Sequence, residues 1–542
     1  MRTTLTIAAF ALALLACGCS HVSSSSAPGA SGPKILRIVG AQEIDNLDPL
    51  LTNEQTSVDC SMFWAGYFFN LDDKGRLVPE LATEVPTLRN GGISPDGLSI
   101  TYHLRKGVTW QDGAPFTARD VVFSWHAIMN PDNNVASRTG FDRVRDIKVI
   151  DDHTVRFDLK EPYAPAVDTL FAPSADAIAL LPAHLLAKYH DLNHVPYNIK
   201  PVGTGPFIVD RWEQGTGVTM HANQHYWRGR PKLDGVDFLT IHDTETMLVM
   251  MRSGEADLYY HLPDSQVPDL SQVGDAHVIV TPFVGYFMLL FNLRHPPLDD
   301  REVREAISYG IDKRRVVADI THGTATVATS DQPSWLWVYD PHVPQYDADP
   351  EKARAILDAD GWKTGSDGIR TKNGRRLSFD ISTPSGYRDG IDFEGLFAQW
   401  MRGIGVDVEV KNYPPDLLYS TYGAGGILST AKYDLAFVDW YNGIDPDDSI
   451  QWLCGYAPPV GQNFTDWCDR GFDAAERIAL STSDERVRKA AYATAQERLA
   501  EQLPADFLYF IGRTDLVSDR VSGYRPARAV STFWNTWEYD LR

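Results

Sequence analysis

Residues 98–129, LSITYHLRKGVTWQDGAPFTARDVVFSWHAIM, constrain the fold more than any other stretch, because the hydrophobic period changes once inside them. Ile100, Tyr102 and Leu104 alternate with polar neighbours, the period of a strand with one buried face. Asp112-Gly113 then supplies turn chemistry. Thr117 and Asp120 stand three apart as a capping box, and Val121, Val122, Trp125, Ile128 and Met129 fall on one helical stripe. Strand, turn and capped helix in that order lay a helix on a sheet.

The same alternation runs through the chain. Strands are expected at 35–40, 207–212, 284–293, 379–384, 406–410 and 507–511. Helices are expected at 57–69, 244–258, 303–309, 349–362, 393–404 and 484–499, with a hairpin over 146–159. Strands separated by helices mean α/β lobes with mixed sheets, and no internal repeat is visible. At 542 residues the chain exceeds one core; a length of about 150 residues per domain gives roughly two to four lobes.

Fifty basic against 72 acidic side chains, a formal charge of −22, repel phosphate backbones and argue against nucleic-acid binding. Arg2 precedes an apolar run over residues 5–16, too short for a bilayer but suited to a signal-peptide core. The run ends in Leu14-Leu15-Ala16-Cys17, which resembles a bacterial lipobox, with Cys19 as the alternative lipidated cysteine and a plain secretory signal as the alternative reading. Residues 18–34, rich in Ser, Gly and Pro, read as a flexible tether. Export favours a disulfide between Cys454 and Cys468 over a zinc site, and leaves Cys60 as a buried thiol.

Residues 433–452, YDLAFVDWYNGIDPDDSIQW, read as a buried strand running into an acidic, aromatic turn. Its end delivers Trp440, Tyr441, Asn442 and Asp445 to one point, flat apolar surface beside hydrogen-bonding groups, as a ligand site requires. The glycine loop Gly203-Thr204-Gly205 is read as a tight crossover, since Pro206 lacks an N–H and no helix begins there. No GxSxG, SxxK, HExxH, P-loop or EF-hand pattern occurs, and the histidines lack metal-ligand spacing. Binding without turnover is the expectation, with no metal and no cofactor.

Several motifs in order carry a family resemblance. The block at 98–129 is similar to "LR.GV.F.DG.P.TA.DV.FS"; VGTGP at 202–206, HANQHYWRGRPKLDGVDF, the Asp299-Asp300 helix start, DPEKARAILDADGW at 349–362 and the "W..D...DP" region follow in the same sequence. Together they resemble the family 5 solute-binding proteins, extracytoplasmic receptors of dipeptide and oligopeptide ABC importers. The resemblance implies a bilobal periplasmic-binding-protein-like α/β fold (type II, cluster C) with mixed sheets and an extra N-terminal subdomain. It divides the chain into a signal peptide at 1–17, the tether at 18–34, a first lobe at 35–68, 200–282 and 513–542, a subdomain at 69–199 and a second lobe at 283–512.

The resemblance also implies site residues. A free peptide needs a cation for its carboxylate and an acid for its ammonium. Arg388, in SGYRDG, takes the first role. The family's acid three residues after the tryptophan is here Gly443, so Asp445 is the nearest substitute, while Asp439 would point away if the strand alternates. Trp440 and Tyr441 would line the cavity, and Asn53 and Glu54 would pair with ligand backbone, with Glu54 the alternative anchor for the ligand amine. The implied partners are a peptide, the permease and ATPase subunits of an importer, and the membrane through a lipid anchor, with the receptor a monomer when free. The alternatives are haem or an oligosaccharide in the same cleft, or a tethered extracytoplasmic hydrolase.

Overall fold

The computed structural model describes residues 32–542 except 53, 174–176 and 530, with the side chains of 271 and 272 also set aside. Cys17, Cys19 and Asn53 therefore lie outside the described residues. One eleven-stranded mixed sheet runs through both lobes. Its middle is made by two long antiparallel strands, Ala276–Phe291 and Ala505–Ser518. Their register slips between Pro282 and Tyr286, opposite Gly512 and Phe510.

On one side of this pair stand Leu258–Tyr259, Ile35–Gly40, Gly235–Thr240, Gly217–Ala222 and Phe207–Glu213. On the other stand Leu435–Tyr441, Ser378–Ser382 and Asp407–Val410, and the short eleventh strand, Thr326–Val327, pairs with Ala505–Ser518 off this order. Both long strands were expected shorter, at 284–293 and 507–511. The added residues in 276–283 are partly exposed and alternate irregularly, so hydrophobic period gave no signal there.

The subdomain carries its own three-stranded sheet, Ser99–His103, Thr154–Leu159 and Val144–Asp151. Helix Ala118–Met129 covers it, and its capping box forms as expected, with the Thr117 N–H donating to Asp120 (2.8 Å). Tyr102 and Phe157 meet edge to face at 5.0 Å in the core beneath.

The expected helix at 57–69 is shorter and earlier, Gln55–Ser61. Beyond it the aromatic run Phe63, Trp64, Tyr67 and Phe68 is buried as irregular chain. The reason lies in the glycine loop: the Gly205 N–H donates to the Trp64 carbonyl (2.9 Å), and a Cβ on Gly203 would stand 1.7 Å from that oxygen. Gly203 and Gly205 thus serve close backbone approach, the crossover that was expected.

Cys454 and Cys468 form a disulfide, and Cys60 is a buried free thiol. Closing a loop of this length contributes about 3 kcal/mol in a chain-entropy account. No described helix is long and apolar enough to cross a membrane.

Candidate functional site

Strand polarity fixes where a ligand can sit. Ala276–Phe291 runs from the first lobe into the second, and Leu435–Tyr441 pairs antiparallel with it, Tyr441 opposite Gly285, so it ends back at the boundary. Ser378–Ser382 and Asp407–Val410 run parallel to Leu435–Tyr441 and end on the same side. In the first lobe Ile35–Gly40, Gly235–Thr240 and Leu258–Tyr259 run parallel to one another and opposite to Ala505–Ser518, so their carboxyl ends approach the boundary from the other side. Open α/β sheets bind ligands outside the carboxyl ends of their strands. Here two such edges face each other.

On the second-lobe edge, strand alternation splits the expected residues. Asp439 and Tyr441 share one face and Trp440 takes the other. Asp439 stands opposite Phe287 across the strand pair; Phe287 stacks on Tyr387 (5.7 Å, 5° between planes) and on Tyr509 (4.9 Å). Tyr419 donates its hydroxyl to Asp439 Oδ1 (3.1 Å), and Tyr441 shares the strand face of this carboxyl, whose charge bears on its phenol. Tyr419 and Tyr441 remain 43% and 51% exposed, so the cup is open to solvent. Surrounding protein, and then the Asp439 charge, push both phenols up. Among the described residues Asp439 has no cationic partner within ion-pair distance. Tyr387, at the N-terminus of helix Arg388–Ile404, donates to Asp389 (3.2 Å), whose carboxyl burial pushes up.

Trp440 instead donates its indole N–H to Asn442 Oδ1 (2.9 Å), and Asn442 is buried with its amide on the Asp331 carbonyl (3.3 Å). Gly443 is half-buried beside it. On the first-lobe side, half-buried Glu54 precedes helix Gln55–Ser61 without capping it. Burial, and then the Asp45 charge, raise its carboxyl.

The end-charge pair expected from Arg388 and Asp445 meets different geometry. Asp445 is 5% exposed, and both its oxygens accept from Arg488 Nη2 (2.8 and 2.7 Å). Proline at 446 and the Ile444 side chain, which packs against Phe283 and Val284, turn it inward. Arg388 is the first residue of its helix. Its side chain is 72% exposed and bonds Asp392 one turn on (2.7 Å). The strand alternates, so Asp439 lies on the face opposite Trp440, and that face is the one with Tyr441 and the Tyr419 hydroxyl. The i, i+2 pair Asp439 and Tyr441 was the available signal; Tyr387 and Tyr419 come from other segments, and no local pattern ties them to it.

Known proteins resemble the chain over most of its length. The chain is 25% identical over 551 residues to the oligopeptide-binding protein AppA of Bacillus subtilis, covering 97% of this chain and 96% of that one. It is 29% identical over 527 residues to di/tripeptide-binding protein 2 of Pseudomonas aeruginosa, covering 93% and 94%. Among solved structures, NikZ from Campylobacter jejuni in complex with Ni(L-His) superposes with a TM-score of 0.77 at 26% identity, over 94% of this chain and 100% of that one. The model of the bacterial extracellular solute-binding proteins, family 5, matches residues 76–461, and the chain belongs to that family.

Proposed function

We propose that the chain captures peptides, from dipeptides to oligopeptides, in the cleft between its lobes and hands them to the permease and ATPase subunits of an ABC importer. Family 5 proteins are extracytoplasmic receptors that bind without turnover, which sets the hydrolase aside. The names of AppA and of the di/tripeptide-binding protein support peptides as the ligand class.

The observation that carries the reading is Asp439, a cleft-edge carboxylate that accepts from the half-exposed Tyr419 phenol, with half-exposed Tyr441 on the same strand face and no cation within ion-pair distance among the described residues. In this reading it takes the ligand ammonium in place of Asp445, as a charge-assisted bond reinforced by the tyrosine faces. Asn53 and Glu54 pair with ligand backbone from the first lobe. Trp440, Tyr441, Asn442 and Gly443 form the opposite wall, and Arg388 leaves Asp392 for the ligand carboxylate. The moving bodies are 35–68 with 200–282 and 513–542, the subdomain 69–199, and 283–512, closing by hinge motion. A lipid on Cys17, or Cys19, holds the monomeric body near the membrane. An acidic edge repels haem propionates, so an oligosaccharide stacked on Tyr419 and Tyr441 is the second reading.

Calorimetric titration with trialanine and N-acetyl-trialanine tests this. Blocking the ammonium should weaken binding roughly ten- to a hundredfold, the worth of a hydrogen bond to a charged group. Asp439→Asn should lose as much and cease to discriminate between the two peptides. Full affinity and discrimination in Asp439→Asn would move the amine site elsewhere.

A further inference from the structure

The first-lobe strand Leu258–Tyr259 does not end as a regular ladder. Its register sets Tyr259 opposite Leu516 on Ala505–Ser518, yet the Leu262 N–H donates to the Thr514 carbonyl (2.8 Å). Between those two points this segment carries one residue more than its partner, which makes a bulge. His261 takes up the difference with φ 54°, in the left-handed region that residues with a side chain rarely occupy. Its N–H leaves the ladder and donates to Asp515 Oδ1 (3.0 Å). A bulge re-aims a side chain, and this one stands at a strand's carboxyl end on the lobe boundary.

The imidazole is held through one nitrogen. Nε2 lies 3.2 Å from Thr532 Oγ1 and 3.7 Å from Asp59 Oδ2. Asp59 is fully buried and accepts from the Thr532 N–H (2.5 Å) and from Gln55 Nε2 (2.9 Å). Burial carries its carboxyl up to about 6, so at pH 7 it is ionised and can only accept. Burial, and then the Arg513 charge, hold the imidazole well below its ordinary range, so the ring is neutral and carries one proton. A lone pair on Nε2 would face the carboxylate; the proton therefore sits there, and Nδ1 is left as an acceptor. Nδ1 has no hydrogen-bond partner among the described residues, and the side chain is 25% exposed.

The neighbours of this acceptor belong to the cleft wall. Gln55, which donates to the same Asp59 oxygen, directly follows Glu54. Asp515, which holds the His261 N–H, shares a strand face with Arg513. Arg513 lies over the Phe283 ring (5.1 Å), and Phe283 meets Tyr441 edge to face at 5.4 Å. His261 thus has Glu54 on one side and, through two ring contacts, the Tyr441 lip of the second lobe on the other.

We propose that His261 Nδ1 accepts a main-chain N–H of the bound peptide, so that the receptor tells an amide from an ester at that position. This rests on the peptide reading of the cleft. A carboxylate at this point would compete with Asp439 for the ligand ammonium. A neutral imidazole takes a neutral N–H instead and leaves the ammonium to the other wall. A proline at that position of the ligand offers no hydrogen and is disfavoured for the same reason.

The test titrates the whole receptor with trialanine and with its two depsipeptide analogues, in each of which an ester oxygen replaces one amide N–H. Wild type should bind at least one analogue about two- to tenfold more weakly than trialanine, the worth of a neutral hydrogen bond. His261→Leu should weaken trialanine by a similar factor and bind that analogue no worse than trialanine. Nitrogen NMR of the histidine-labelled receptor gives a readout that does not depend on the leucine variant. With the His261 signals assigned by their loss in His261→Asn, the Nδ1 resonance of wild type should move when trialanine is added. Equal affinity for all three peptides in wild type, an unmoved Nδ1 resonance, or the same discrimination kept in His261→Leu overturns the inference while the peptide reading stands. Trialanine that does not bind wild type removes the peptide reading itself, and this contact with it.

Discussion

Asp439 and Asp445 stand on one strand and its turn, and the protein treats them in opposite ways. Asp445 is buried, holds Arg488 through both oxygens, and belongs to a knot that includes Tyr492 and the Trp337 ring, 5.5 Å from the guanidinium. Asp439 is half-buried, accepts a hydrogen bond from the Tyr419 hydroxyl, has no cation within ion-pair distance among the described residues, and is open to the cleft. A carboxylate inside the fold must have its charge answered there, whereas one at a cleft edge can leave that to a ligand. Burial and partner, more than residue type or sequence distance from the tryptophan, separate the acid that holds the lobe from the acid that can hold a cargo.

The largest effect that could break this contrast comes from Arg488→Ala. Removing one member of a buried pair leaves the other charge uncompensated, at a cost of about 3–5 kcal/mol. Urea unfolding should show that loss. If stability held and only ligand affinity fell, Asp445 would be a binding acid and the contrast would collapse.

Much of the fold was legible in the sequence because its signals are local. The capping box at Thr117 and Asp120, the period-2 strand at Ile100 to Leu104, and the Cys454–Cys468 pair each declare themselves within a few residues. The site was legible only in outline. That the strand at 435–441 ends at the cleft follows from its pattern, but the partner of Asp445 lies 43 residues away and that of Asp439 lies 20 residues away. Charge balance between distant segments has no periodicity. Around Arg388 a local signal was present: the i, i+4 pair with Asp392 marks the helix that begins there.

A second variant sharpens the buried side of the contrast with the opposite sign. Glu476 is fully buried with no hydrogen-bond partner on either oxygen, and burial followed by the charges of Asp447 and Asp331 raises its carboxyl well above the ordinary range. The folded protein thus keeps a proton that the unfolded chain releases above about pH 4.3. Its contribution is whole below that pH and is lost as pH rises toward the raised folded value. Glu476→Gln escapes this loss. The two proteins should unfold alike near pH 4, and the variant should gain on wild type by at most about 1.4 kcal/mol per pH unit above it. Parallel stability curves from pH 4 to 8 would mean that Glu476 is ionised in the fold and that Arg488 answers more than one acid.

Tyr419→Phe probes the open side, and its effect should be the smallest. The hydroxyl donates to Asp439, and the ring is 43% exposed, so the change deletes a hydrogen bond while keeping the aromatic face. Stability should move by less than about 0.5 kcal/mol, as for a surface substitution. Affinity for a cationic ligand group can go either way by up to about tenfold: losing the donor loosens the carboxylate's position, yet frees a lone pair for the ligand. What discriminates is its coupling to Asp439→Asn. If the tyrosine acts through the carboxylate, the double variant binds no worse than Asp439→Asn alone, and the cycle shows an interaction as large as the Tyr419→Phe effect itself. Additive losses would give Tyr419 a ligand contact of its own, its ring serving as the wall rather than its hydroxyl as the support.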